Sequence, residues 1–320
     1  MPARAPFIPA AVLLESPDPK GPERRMRMNR LTDAVTLGGL AALTLLAAAF
    51  GGRLERPALT IGTNLVFVAL YAGSLAALRR IRRPWLRFLV RTGAVQLTFL
   101  QIYRSANDLQ LLFFPWQDDR VLAWEQAIFG FQPVVEIQKL YALPLTEWML
   151  FVYVVYVVIY PVLGAIIFFK RGEEANEDYL FHLGLVNLVC AAGFILFPVA
   201  SPMYWEKVRT LLTAPLPSGP FGAAAEWVRA NVHTAGGSIP SPHCAVATVM
   251  WHMSRKHTRH GFPVLAPVVL SLYFSTVYGR FHYVSDAAIG VAAALAVILA
   301  APALARACGA RPPVRTGGAA

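Results

Sequence analysis

Eight long apolar stretches set the terms on which this chain can fold, most of them close to the ~20 residues that a helix needs to cross a bilayer core. They run over about Leu31–Gly51, Leu59–Leu78, Thr92–Phe114, Trp148–Phe169, Tyr179–Phe197, Pro242–Met253, Phe262–Tyr278 and Ser285–Ala305. Hydrocarbon offers the backbone no water, so a spanning segment must satisfy its own hydrogen bonds, and runs of this length and composition read as helices. The sixth is short, and the third carries Arg104, Asn107 and Asp108. Composition agrees: 56% of residues are hydrophobic and 15% charged, with a mean hydropathy of +0.50, where a soluble domain carries about a quarter charged. The expected fold class is all-α, a polytopic membrane protein of about eight transmembrane helices.

The net charge of +11 does not point to nucleic acid, because no nucleic-acid-binding pattern accompanies it and the basic residues flank apolar runs. With the N-terminus inside, the cytoplasmic loops and tails receive 20 of the 29 Lys and Arg residues, including the runs RRMRMNR and RRIRR. That bias obeys the positive-inside rule and places both termini in the cytoplasm. Residues 1–28, rich in Pro, Ala and Arg, read as a disordered tail. Residues 29–91 read as two helices and a basic loop, 92–306 as the main membrane domain, and 307–320 as a second tail. A composition heavy in Ala, Arg and Pro suits a bacterial inner membrane. Cys190, Cys244 and Cys308 lie far apart, without metal spacing or a disulfide framework.

Two long loops fall on the outer side. Pro115–Glu147 mixes Trp116, Trp124, Phe129 and Phe131 with Asp118, Asp119 and Glu125, a pattern suited to the membrane interface. Val199–Ser241 is rich in Pro and Gly. This topology sorts the histidines. His233, His243 and His282 lie on the outer side, whereas His182, His252, His257 and His260 lie towards the inner one. His243 starts the sixth span and His282 precedes the eighth. Asp286, four residues after His282, shares its face if the eighth helix starts early enough to include the histidine; a carboxylate at that spacing can accept the Nδ1–H and leave Nε2 as base or nucleophile. Arg280 offers a planar donor for phosphate oxygens. Ser241 and Pro242 form a helix start, with serine as N-cap and proline first in the helix, and a helix N-terminus favours anions. Two histidines, a carboxylate, an arginine and helix N-termini at one membrane face suit phosphoryl transfer through a histidine.

These residues carry a resemblance. PSPH, Pro240–His243, is similar to the PSxH element of the type 2 phosphatidic acid phosphatase (PAP2) superfamily, and RFHYVSDAAIG, Arg280–Gly290, to its HxxxD element. GSIPSPHCAVAT, YGRFHYVSDAAIG and WEQAIFGFQP look most like its inositolphosphotransferase branch, the inositol phosphorylceramide synthase-like proteins. The resemblance covers about Asn107 to Gly290 and implies a six-helix catalytic bundle and no cofactor or metal. It further implies His282 as the nucleophile that forms a phosphohistidine, Asp286 as its orienting group, His243 as general acid and Ser241 as a phosphate ligand. The implied substrate is a lipid phosphate or phospholipid in the bilayer, reached from the periplasmic or extracellular side. Water or a lipid alcohol would resolve the intermediate.

The chain also departs from that pattern. Pro242 stands where the motif often has glycine, and Met203 where an arginine is expected after a proline-rich span end. Thr276 occupies the place of an SR pair before the second histidine. Lys207, Arg209 or Arg104 are candidates for the missing charge, and the sequence does not choose among them. A carrier that binds lipid phosphate without turning it over is the alternative. Cys244, beside His243, reads as a small packing residue, His233 as solvated, and Tyr153, Tyr156 and Tyr160 as one packing face of the fourth span. Phosphatase and headgroup transferase share one motif set, and neither the substrate nor the oligomeric state is written in it.

Overall fold

The computed structural model describes residues 28–231, 235–258 and 260–310, and every regular element among them is helical. The long N-terminal tail, His233 and most of the C-terminal tail lie outside the described residues. Eight helices are long: α1 (Met28–Ala49), α2 (Pro57–Leu78), α3 (Pro84–Asp108), α6 (Leu143–Arg171), α7 (Glu173–Leu196), α10 (Pro242–His257), α11 (Gly261–Tyr278) and α12 (Val284–Ala307). Four shorter ones, α4 (Asp118–Phe129), α5 (Pro133–Glu136), α8 (Glu206–Arg209) and α9 (Pro220–Asn231), lie in the connections.

Six of the long helices, α1, α2, α6, α7, α11 and α12, are long and apolar enough to cross a membrane. The chain is a multi-pass membrane protein. The other two long helices are the two that the sequence set apart. α3 starts at Pro84 rather than near Thr92, with the proline in its first turn, where a missing N–H costs nothing. The helix therefore takes in Arg87 and Arg91. α10 has 16 residues, about 24 Å of helix, less than the ~30 Å of a hydrocarbon core. It tolerates that length because it is enclosed by protein: α6, α7, α11 and α12 all pack against it, and residues 244 to 250 are buried without a break.

α1, α2 and α3 pack on one another, and α1 and α3 lie against α7. Arg91, 4% exposed, ties these four helices together. Its guanidinium makes a two-pronged bond to Glu177 (2.6 and 2.8 Å) and reaches Asp33 (2.6 Å), while the Tyr71 hydroxyl also donates to Asp33 (2.7 Å). A buried arginine is stable only when its charge is paired and its donors are filled, and both conditions hold. Beside this network, at the same end of the bundle, fully buried Asp178 of α7 receives Lys256 (2.6 Å) and His257 (2.9 Å) from the last turn of α10. His182 lies on its other side, 3.4 Å away. His182 and His257 thus sit far from the end of α10 that carries His243.

α4 inverts the ordinary amphipathic pattern. Asp118, Val121 and Glu125 form its buried stripe, whereas Trp124 and Ile128 stand 41% and 69% exposed. Aromatic and aliphatic side chains face outward, as at a membrane interface, and carboxylates face the protein.

Removing one partner of the Arg91 network strands buried charge, so Arg91→Ala is expected to lose about 3–5 kcal/mol of stability. Arg91→Lys is expected to recover little of it, since an ammonium cannot bridge Glu177 and Asp33 as a planar fork does. Thermal unfolding in detergent measures both.

Candidate active site

The turn that leads into α10 is built on glycine. Gly237 adopts φ 66°, and a Cβ there would lie 2.7 Å from Asn107 Oδ1 and 2.8 Å from Tyr103 Oη. Only glycine meets both the left-handed backbone and that close approach. Gln110, just beyond α3, holds the turn from outside: its Oε1 accepts the Gly237 N–H (3.2 Å) and its Nε2 donates to the Ala235 carbonyl (2.9 Å). The chain then delivers Ser238 inward and starts α10, with the Ser241 hydroxyl oxygen accepting the Cys244 N–H (3.4 Å).

A second close approach sets this helix start on α12. The Ser241 N–H donates to the Asp286 carbonyl (3.0 Å), and a Cβ on Gly290 would come within 2.5 Å of the Ser241 carbonyl oxygen. Glycine at 290 is therefore a requirement of the contact. From the other direction, the turn between α11 and α12 folds back so that the Thr276 carbonyl accepts both the Phe281 and the His282 N–H (3.0 Å each).

These constraints bring His243 and His282 together, His282 Nε2 lying 3.3 Å from His243 Nδ1. The rings are edge to face, with centroids 5.5 Å apart. On its other side, His282 Nδ1 is 3.1 Å from Ser238 Oγ and 3.3 Å from Asp286 Oδ2, and Ser238 Oγ donates to the same carboxylate oxygen at 2.6 Å. Asp286 is fully buried and also accepts the Tyr283 N–H (3.0 Å), closing a capping box at the start of α12. With Ser238 Oγ and Asp286 Oδ2 beside Nδ1, a proton on that nitrogen would meet acceptors and the Nε2 lone pair would face His243.

Aromatic rings hold His243. Tyr153 stacks on it (4.8 Å between centroids, 25°) and, on its other face, on Phe281 (4.1 Å, 11°), while Tyr156 closes in at 5.5 Å. Of the three tyrosines expected to form a packing face, Tyr153 and Tyr156 pack on the histidine, whereas Tyr160 packs on Tyr179 of α7. Cys244 is buried, with its sulfur 3.8 Å from the Thr276 hydroxyl.

Three further residues shape the site, and none of them is marked as a site residue by local sequence pattern. Ser238 is one, and no periodicity marks it. The others are Asp118 and Glu125, which hold α4 against the start of α12. Asp118 accepts the Ala200 N–H (2.8 Å), the Ser201 N–H (3.2 Å) and the Tyr283 hydroxyl (3.1 Å). Glu125 Oε1 accepts the Ser285 N–H (2.9 Å), as an anion at a helix N-terminus should. Burial pushes both carboxyls up to about 6, and the nearby Asp286 charge adds to the effect. Acidic residues seven apart on a helix with an aromatic outer face were the available signal.

The expected phosphate ligands do not converge. The Arg280 guanidinium is engaged by Tyr141 Oη (2.9 Å) and by the carbonyls of Leu212 (3.5 Å) and Ala214. It pins that loop to the turn before His282. Lys207 pairs with Asp119 (2.7 Å) and Arg209 with Glu206 (2.6 Å), both on the surface. Arg104 is exposed on α3, and its neighbour Asp108 accepts from Thr60 (2.8 Å) instead. Ser241 is fully buried as a helix cap. Among the described residues no His, Cys, Asp or Glu side chains gather in the threes that a metal ion would need.

A family model described as the PAP2 superfamily matches residues 120–300, more than half of the chain. The chain belongs to the PAP2 superfamily. No curated protein and no solved structure matches it. Membership points to phosphatase or phosphotransferase chemistry on lipid phosphates within a membrane. In this PAP2 chain the place expected for an arginine, Met203, packs with Tyr153 and Phe281 in an apolar cluster.

Two expectations follow from this geometry. Because Lys207 and Arg209 sit in exposed ion pairs, replacing either by alanine should change activity by less than about twofold, measured as initial rates on any turned-over lipid. For Glu125, a raised carboxyl means that the folded chain holds the proton more tightly than the unfolded one between pH ~4.5 and ~6. Its contribution is present at low pH and is lost as pH rises through about 6. Glu125→Gln should flatten the fall in unfolding free energy over that window, by about 2 kcal/mol in all at ~1.4 kcal/mol per pH unit, read from thermal melts across the pH range.

Proposed function

We propose that this PAP2 protein cleaves a lipid phosphoester through a phosphohistidine on His282. The observation that carries the reading is the His282 ring itself: Nδ1 is occupied by Ser238 and Asp286, and Nε2 faces His243. The Nε2 lone pair attacks phosphorus, the phosphorus–oxygen bond to the leaving group breaks, and that oxygen takes a proton from His243. The mild positive charge that develops on the His282 ring is met by the Asp286 carboxylate. In the second half, His243 removes a proton from water or an alcohol as its oxygen attacks phosphorus. The phosphorus–nitrogen bond then breaks and returns its electron pair to Nε2.

Ser241, Arg280, Lys207, Arg209 and Arg104 were the sequence-level candidates for holding the phosphate. Arg280 is favoured, because it is two residues from His282 and buried in part, and Tyr141, Leu212 and Ala214 engage one N–H on each of its three nitrogens, which leaves donors over for a phosphate. The finer reading is a transferase of the inositolphosphotransferase type, moving a phospho-headgroup such as phosphoinositol to a lipid alcohol. GSIPSPHCAVAT, YGRFHYVSDAAIG and WEQAIFGFQP support it. The distribution of basic residues supports cytoplasmic termini and a site on the outer side, and a composition heavy in Ala, Arg and Pro supports a bacterial inner membrane.

Purified protein in detergent, supplied in parallel with labelled phosphatidate, polyprenyl diphosphate and phosphatidylinositol, tests the reading. Turnover of at least one is expected, reduced about 10³-fold or more by His282→Ala and about 10²- to 10⁴-fold by His243→Ala. Undiminished turnover in His282→Ala contradicts the mechanism. Tight binding without turnover in the wild type favours the carrier. Adding a lipid alcohol separates transfer from hydrolysis.

A further inference from the structure

Between His282 and Asp286 lies a hydroxyl that the family's two motif elements do not include. Ser238 sits two residues before the first of them and is 1% exposed. Its hydroxyl can donate one proton, and the carboxylate is the acceptor that can take it: the 2.6 Å distance to Asp286 Oδ2 is that of a charge-assisted O–H···O⁻ bond. With that proton committed, the oxygen's lone pairs point elsewhere, and His282 Nδ1 lies 3.1 Å away. The direct path from Nδ1 to Asp286 Oδ2 is longer, at 3.3 Å, and that oxygen already accepts from Ser238 and from the Tyr283 N–H.

We propose that Ser238 is a positioning residue that relays the Asp286 carboxylate to His282, fixing the proton on Nδ1 and so keeping Nε2 free. The inference rests on the phosphohistidine reading only for its effect on rate; its effect on the ring stands without it. No proton crosses the relay. The Nδ1–H stays on the imidazole, the serine proton stays on Oγ, and the two bonds polarise each other. The positioning extends outward: Gln110 holds both Ala235 and Gly237, and that clamp sets the depth at which Ser238 enters. Asp286 Oδ1 has no hydrogen-bond partner among the described residues, so the bonds at Oδ2 are what orient the carboxylate.

Nitrogen-15 NMR of histidine-labelled protein in detergent, with His282→Ala to assign the signal, reads the tautomer without any substrate. His282 is expected as the single Nδ1–H form in the wild type and as a mixture of both tautomers in Ser238→Ala, with Ser238→Thr restoring the single form. An unchanged His282 signal in Ser238→Ala overturns the proposal, because Asp286 alone would then be fixing the ring. Kinetics give the second reading. Loss of one hydrogen bond to a charged group should lower kcat about 10- to 100-fold, leave KM nearly unchanged, and have little further effect in an Asp286→Ala background. Independent, multiplying losses in the double variant also overturn it. Size-exclusion and melting profiles that match the wild type exclude misfolding. Should the wild type turn over none of the lipids, the proposed function fails, while the NMR result still decides the relay.

Discussion

Everything at the site depends on how closely the start of α10 can approach α12. One hydrogen bond, from the Ser241 N–H to the Asp286 carbonyl, spans the gap at 3.0 Å, and Gly290 leaves room for it. A methyl group in that space would push α10 away from α12, and the histidines ride on the two helix starts. Their 3.3 Å contact is therefore a consequence of backbone packing rather than of attraction between imidazoles. The same approach explains why α10 is short and enclosed. A helix held on four sides needs no lipid-facing surface, and it can present a histidine at one end while Lys256 and His257 pair with Asp178 at the other.

Around this contact the protein handles charge in two ways. At the far end, Arg91 and Asp178 are buried, paired and spent on joining helices. At the site end, three carboxylates crowd the start of α12: Asp118 through the Tyr283 hydroxyl, Glu125 through the Ser285 N–H, and Asp286 through the Tyr283 N–H. Each meets a donor at or next to a helix N-terminus, where negative charge is favoured. The acidic inner stripe of α4 is thus part of the scaffold that aims His282, and the aromatic outer stripe leaves that short helix suited to an interface.

Much of this was legible in the sequence. The helical fold followed from apolar run lengths, and the histidine pair followed from counting which ends of which spans share a face. Ser241 as N-cap followed from local helix rules and is present; His282 does meet Asp286, but from the turn before the Tyr283 N-cap of α12 rather than from a shared helical face. The start of α3 was misjudged because Arg87 and Arg91 read as loop charges; a buried bidentate partner 86 residues away, Glu177, is invisible to any local window. Ser238, Asp118 and Glu125 were missed for the same reason: their partners lie on other helices. Tyr153, Tyr156 and Tyr160 are spaced as one face of α6, but spacing cannot say that the first two meet a histidine and the third Tyr179. Met203, read as a lost arginine, takes its sense from the apolar cluster around Tyr153 and Phe281.

The central claim is that His282 carries the phosphoryl group. Rapid mixing of the purified protein with phosphorus-labelled lipid phosphate, stopped in alkali within one turnover, captures any phosphorus–nitrogen bond, and peptide mapping locates it. The account predicts an alkali-stable, acid-labile label on His282, absent from His282→Ala and longer-lived in His243→Ala when the acceptor step is slowed. Label on His243 or on Cys244, or turnover in the first cycle with no label on the protein, would contradict it.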